Sequence, residues 1–138
     1  MAQTEQWSTL YRPRTLKSVI GNQDTVKLVE RFMEQRNGHA ILLSGPSGCG
    51  KTTMAQIIGK HYAGQKSNYR ETNASSDSGI DDVRAMIEAS RYLPTNKDGC
   101  KVFVLEEVHG LTKKAASALL RPIEEPPHNQ LLWILVTD

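Results

Sequence analysis

Eight consecutive residues carry the clearest chemistry in this chain: Gly45-Pro46-Ser47-Gly48-Cys49-Gly50-Lys51-Thr52. They satisfy G-x-x-x-x-G-K-[ST] at every fixed position, a pattern that binds phosphate when it joins a strand to a helix. The glycines let successive backbone N–H groups turn inward and form an anion nest. The first turn of the following helix, where Thr53 sits, adds unpaired donors and positive dipole charge. Lys51 is placed to reach the β- and γ-phosphates as a point charge, and the Thr52 hydroxyl to complete a magnesium shell. Cys49 need only be small here. Nothing beside it but Lys51 would activate a thiol, so it reads as a filler rather than a nucleophile.

A nucleoside triphosphatase needs two more parts: a second acid for the metal and a group that orients the attacking water. The run Lys101-Val102-Phe103-Val104-Leu105-Glu106-Glu107 offers both, as an apolar strand ending in two carboxylates. Glu106 would face the metal and Glu107 the water. Standing alone, two such acids would be a solvated strand end; a phosphate loop elsewhere in the chain gives them a task. A last apolar run ends in Thr137-Asp138, and either residue could meet a γ-phosphate. A carboxylate there is costly unless a metal or water intervenes. His109 reads as an ordinary loop histidine, because His39, His61 and His128 are scattered and make no ligand set with it.

The elements that must position these groups follow from apolar spacing. Residues 1–25 hold Trp7, Leu10, Tyr11, Leu16, Val19 and Ile20 with little helical period, and predict an extended lead. Tyr11-Arg12-Pro13 could fence a base or simply strap the domain. Residues 24–36 predict an amphipathic helix capped by Asp24, and residues 39–43 a strand. The helix after the phosphate loop should run over 50–62 and stop at Gly64. A short strand is expected over 69–72, then a polar loop. A helix with Asp81 and Asp82 in its first turn should run to about Arg91, with Val83, Met86 and Ile87 inward. Thr112 should cap a helix over 113–125 whose apolar positions are Ala115, Ala116, Leu119, Leu120 and Ile123, kinked or irregular at Pro122. Residues 131–136 form the last strand.

Continuous apolar strands alternating with helices predict an α/β fold, a doubly wound parallel sheet covered on both faces. Ligands in such sheets gather at the C-terminal ends of strands, where the loop, Glu106-Glu107 and Thr137-Asp138 all lie. The chain has 138 residues, 38% hydrophobic and 23% charged, enough for one domain with a core. Its net charge of +2 neither requires nor excludes nucleic acid. Cys49 and Cys100 are the two cysteines, so a cysteine-only zinc site is excluded and no disulfide framework is available. No apolar stretch approaches a membrane span and the N-terminus lacks a signal pattern, which places the expectation in the cytoplasm with no membrane partner.

Several runs resemble the AAA+ clamp-loader subunits. They are Tyr11-Arg12-Pro13 with Val19-Ile20-Gly21-Asn22, then Glu71-Thr72-Asn73-Ala74-Ser75-Ser76 and Gly79-Ile80-Asp81-Asp82-Val83-Arg84. Glu106-Glu107-Val108-His109-Gly110-Leu111-Thr112 resembles the bacterial D-E-V-H-x-L-[ST] box. Ala118-Leu119-Leu120-Arg121-Pro122-Ile123-Glu124-Glu125-Pro126-Pro127 is similar to the A-L-L-K-x-L-E-E-P-P run of the bacterial DNA polymerase III gamma/tau subunit. The resemblance spans about residues 7–138. It implies a three-layer αβα P-loop NTPase, with residues 1–22 as a strap and 23–138 as the nucleotide-binding domain. It implies an ATP-driven, magnesium-dependent subunit of a ring that loads a sliding clamp on primed DNA. Tyr11, Arg12, Val19 and Ile20 would bound the adenine and ribose. Lys51 and Thr52 would serve the phosphates and metal, Glu107 the water, and Asp138 the γ-phosphate sensor position. Arg84, Arg91 and Arg121 would face DNA phosphates or a neighbouring subunit, or else solvent.

Four departures stand out. Glu106 occupies the place of an aspartate, so its carboxylate reaches one methylene further. The zinc-binding cysteine insertion is absent between Tyr62 and Tyr69, and Pro122 interrupts a helix. The sequence ends at Asp138, before the family's last strand, trans-acting arginine, lid domain and collar. In the family's strand order, 5-1-4-3-2, that ending would leave the phosphate-loop strand at an open edge and the adenine less covered, so weak ATP binding and slow or no turnover are expected of these residues alone. A hydrolysis-deficient binding module in a replication complex and a different AAA+ motor are the competing readings.

Overall fold

In a computed structural model of the chain, the structure describes residues 40–46, 50–76, 79–95 and 99–138. The lead over residues 1–25, the helix over 24–36, and Ser47, Gly48 and Cys49 lie outside the described residues. So do Tyr11, Arg12, Val19 and Ile20.

The elements follow in the expected order. β1 is Ala40–Ser44, α1 Lys51–Ala63, β2 Tyr69–Asn73 and α2 Gly79–Ala89. β3 is Lys101–Glu106, α3 Lys113–Glu124 and β4 Leu131–Thr137. Short 3-10 turns over Lys66–Asn68 and Val108–Gly110 precede β2 and follow β3. The sheet has the order β1-β4-β3-β2, and each of its three pairings is parallel. β1 therefore forms one edge among the described residues, and Leu42 on it is 61% exposed.

Crossover handedness explains the layers. The step from β1 to β2 runs to the far edge, and the next two steps run back. Right-handed connections in opposite directions place their helices on opposite faces. α1 accordingly covers one face, packed on Val102, Val104, Leu132, Ile134 and Val136. α2 and α3 cover the other, packed on Phe103, Leu105, Leu131 and Trp133. Odd and even positions of β3 and β4 thus serve different cores, which is why both strands are apolar apart from polar residues at their ends. The two largest fully buried side chains among the described residues meet on this face: Phe103 and Trp133 are register partners, stacked with centroids 4.7 Å apart and planes 28° apart.

Local signals set most boundaries. The Gly64 N–H closes α1 on the Lys60 carbonyl at 3.2 Å. The Thr112 hydroxyl accepts from the Ala115 N–H at 3.1 Å, the expected N-cap of α3. Two expectations need correcting, at the ends of α2 and α3. α2 ends at Ala89, not near Arg91, because the Ser90 hydroxyl turns back onto the Ile87 carbonyl at 2.6 Å and competes with further helix. Leu120, though apolar, is half exposed: it lies about 100° around the helix from buried Leu119, off the stripe that faces the core. α3 also runs on through Pro122 to Glu124, and its end keeps ordinary spacing, with the Glu125 N–H on the Arg121 carbonyl at 2.9 Å.

Candidate nucleotide site

One cleft of about 460 Å³ lies at the C-terminal rim of the sheet. The first turn of α1 contributes Gly50, Lys51, Thr52 and Thr53, and the end of β2 contributes Asn73. The end of β3 supplies Glu106 and Glu107, and β4 with its next residue supplies Val136, Thr137 and Asp138. Stretches separated by more than eighty residues thus share one cavity, of a size that suits a small-molecule ligand. Gly45 and Pro46 are described at the end of β1 but are not among its lining residues.

The helix side of the cleft is built to receive an anion. Gly50 takes φ 90°, a left-handed conformation that a side chain would strain, and so turns the chain into α1. Its carbonyl accepts from the Met54 N–H at 2.9 Å, the first bond of the helix. No side chain caps this end and no acid occupies its first turn. The leading N–H groups of α1 are thus left as donors beside the cleft.

Lys51 crosses the cleft. Its side chain is 11% exposed, and its ammonium pairs with Asp138 Oδ1 at 2.8 Å and donates to the Gly45 carbonyl. The Lys51 hydrogen bond, then its charge, hold the Asp138 carboxyl below the usual carboxylate range. A depressed carboxyl contributes its pairing above its ordinary value and loses it only as pH falls through the lowered one, so the pair is intact at neutral pH.

The acid side is organised by strand parity. Glu106 shares its face of β3 with Val102 and Val104, which point at α1, so it is directed toward the phosphate-loop helix. Glu107 lies just past the strand rather than in it, at φ 54°, the one left-handed non-glycine among the described residues. Its carboxylate accepts from the Ser75 hydroxyl. Ser75 is held in turn by its N–H on Asn73 Oδ1 at 2.9 Å. Hydrogen bonding from Ser75, then from Asn73, keeps the Glu107 carboxyl below its ordinary value, with His109 adding to the shift. Gly110 closes the turn with its N–H on the Glu107 carbonyl at 2.9 Å, and it lies against Ser75 so closely that a Cβ there would sit 2.6 Å from the Ser75 Cβ.

Asn73, Ser75 and His109 were not assigned to the site from sequence. Asn73 and Ser75 enter because Asn73 and Glu106 are register partners across β2 and β3, a pairing that a sequence does not print. His109 is exposed beside the cleft, its Nδ1 3.1 Å from Thr137 Oγ1. The expected arginines remain outward: Arg84, Arg91 and Arg121 are all exposed, and Arg91 lies beyond α2, 3.5 Å from Glu88.

Residues 1–116 match the Rad17 P-loop domain. The chain belongs to that family. Among curated proteins it is 39% identical over 127 residues to the replication factor C small subunit of Methanocella arvoryzae, covering 90% of this chain and 39% of that protein. The Archaeoglobus fulgidus replication factor C small subunit is 37% identical over 127 residues, again 90% of this chain and 40% of its own length. The chain thus spans about two-fifths of the length of these relatives. Among solved structures, RuvB from Thermotoga maritima superposes with a TM-score of 0.64 at 26% identity, over 91% of this chain and 41% of that one. A DNA polymerase III gamma subunit-related protein from the same organism gives 0.62 at 20% identity, over 80% of this chain and 38% of that one. The P-loop domain is therefore a three-layer αβα NTPase fold with clamp-loader homologues. The two curated relatives carry the replication factor C name and do not confirm the expected likeness to the gamma/tau subunit in particular.

The donors present suit a magnesium nucleotide. Magnesium in phosphate sites is held by one or two carboxylates or hydroxyls, with phosphate oxygens and waters completing its shell. Thr52 and Glu106 line the same cleft, and no cluster of three or more metal-ligating residues is found among the described residues. An uncapped helix end, a lysine and a hydroxyl match the phosphate part.

Proposed function

We propose that this P-loop domain binds ATP with magnesium and is the hydrolysing core of a clamp-loader subunit. The observation that carries the reading is the single cleft shared by the α1 N-terminus with Lys51 and the two acids at the end of β3. The identity to replication factor C small subunits supports placing that chemistry in clamp loading on primed DNA, alongside other subunits and a sliding clamp. Its subunit type is then nearer to replication factor C than to gamma/tau. The domain spans residues 23–138, preceded by the strap of 1–22, and acts in the cytoplasm or nucleus, wherever DNA is replicated. Among the described residues no helix is long and apolar enough to cross a membrane.

Residues 45–53 hold the phosphates, through backbone donors, the Lys51 ammonium and the Thr52 hydroxyl. Thr52 and Glu106 hold the metal, which when bound would neutralise phosphate charge as the terminal bond breaks. Glu107 orients water. Tyr11, Arg12, Val19 and Ile20 bound the base. Asp138 was expected at the γ-phosphate. Its pairing with Lys51 suits it better to holding that lysine, and the neighbouring Thr137 hydroxyl offers an uncharged donor at the same strand tip. Arg84 and Arg121, both exposed, and Arg91, exposed beside Glu88, are the candidates for contact with DNA backbone.

Titration with ATP and ADP in magnesium, followed by turnover with clamp and primed DNA, tests the reading. Lys51→Ala should weaken ATP binding by about 10- to 100-fold, the worth of a hydrogen bond to a charged group. Calorimetry checks this, and unchanged affinity would remove the phosphate assignment. The binding-module reading retains one specific support, the longer Glu106 in place of aspartate. Under it, ATP binds but is not turned over.

A further inference from the structure

His109 follows the acid pair in the same motif, and the nucleotide reading gives it no task. It stands on the 3-10 turn after β3, exposed, with its Nδ1 3.1 Å from the Thr137 hydroxyl 28 residues later in the chain. Thr137 is fixed from its other side: it is the last residue of β4 and the register partner of Ser44, immediately before the phosphate loop. It also lines the cleft, whereas His109 does not. The imidazole therefore meets the hydroxyl beside the residues that line the cleft.

A hydroxyl carries one proton and two lone pairs. If it spends the proton on an imidazole nitrogen, it faces the cleft only as an acceptor, the wrong polarity for a phosphate oxygen. If it accepts from an imidazole N–H, its own proton is released toward the cleft. We propose that His109 is a positioning residue that donates from Nδ1–H to Thr137 Oγ1 and thereby turns the Thr137 O–H toward the terminal phosphate of a nucleoside triphosphate. This rests on the nucleotide reading above and adds to it the residue that sets the polarity of the Thr137 contact. Thr137 distinguishes ATP from ADP, and His109 sets how strongly it does so without touching either.

Two measurements on the 138-residue chain test the assignment. Long-range ¹H–¹⁵N spectra at alkaline pH report the tautomer. Nδ1–H is expected, and Nε2–H alone overturns the proposal, because Thr137 would then be the donor. The second readout is the ratio of ATP to ADP affinity. His109→Ala and Thr137→Val should each lower it about tenfold, with ADP affinity changed by less than about twofold. The double variant should be no worse than either single one, since both remove the same interaction. His109→Asn, whose amide offers a donor near the Nδ1 position, should restore the ratio, while thermal melting confirms that each variant is folded. A wild-type preference for ATP that survives His109→Ala overturns this inference and leaves the nucleotide reading intact. A wild-type chain that binds neither nucleotide overturns both.

Discussion

Changing Glu107 to glutamine will lower ATP turnover by about 10²- to 10⁴-fold while leaving ATP affinity nearly unchanged, the range expected when a positioned proton-accepting group is lost. The argument starts with the backbone. Glu107 adopts φ 54°, a conformation side chains rarely take, at the tip of a central strand. Such strain persists only where the surroundings over-determine it, and here they do. The Ser75 hydroxyl and the Gly110 N–H fix the side chain and the carbonyl respectively. Hydrogen bonding holds the carboxyl below its ordinary value, so it stays ionised at neutral pH, the form that can orient water and accept its proton. Glutamine keeps the size and the Ser75 contact but removes the charge. Single-turnover kinetics beside equilibrium binding separate the two effects. Equal turnover in the two proteins would favour the binding-module reading, and a parallel loss of affinity would place Glu107 on the nucleotide itself.

Trp133→Ala will cost about 3–5 kcal/mol of folding stability, the usual penalty for deleting a large buried aromatic side chain. Trp133 is fully buried at the middle of β4, with β1 on one side and β3 on the other. Its ring stacks on Phe103 and packs within the core beneath α2 and α3. The cavity could not close without moving a central strand whose tip carries Thr137. Against a total stability of about 5–15 kcal/mol, the loss leaves the domain close to unfolding. Urea denaturation will show it as a lower midpoint. Leu120→Ala, on the exposed side of α3, provides the contrast, with an expected change within about 0.5 kcal/mol. A small effect at Trp133 would mean that the far core is not as packed as described.

Much of this was legible before any coordinates. The two apolar runs that became β3 and β4 could be read because both faces of each strand are covered, which removes polar interruptions. Thr112 and Gly64 marked helix ends because caps satisfy backbone groups locally. The phosphate loop and the acid pair could be read because each is contiguous. What sequence could not supply depends on register and on which strands become neighbours. Asn73 and Ser75 reach Glu107 only because β2 lies beside β3 in one alignment. His109 meets Thr137 only because β4 lies on the other side of β3. The C-terminal end of α2 differs for another reason: a serine competing for a carbonyl outweighs helical periodicity there.

Gly110 and Ser75 press together with no space for even a methyl group between them. The hinge after β2 and the hinge after β3 are therefore one mechanical unit, and a push on either is delivered to the acid they share. An alanine at position 110 would alter no charge and remove no contact to a ligand. It would still pry the serine from its carboxylate, a lesion of timing rather than of affinity or fold.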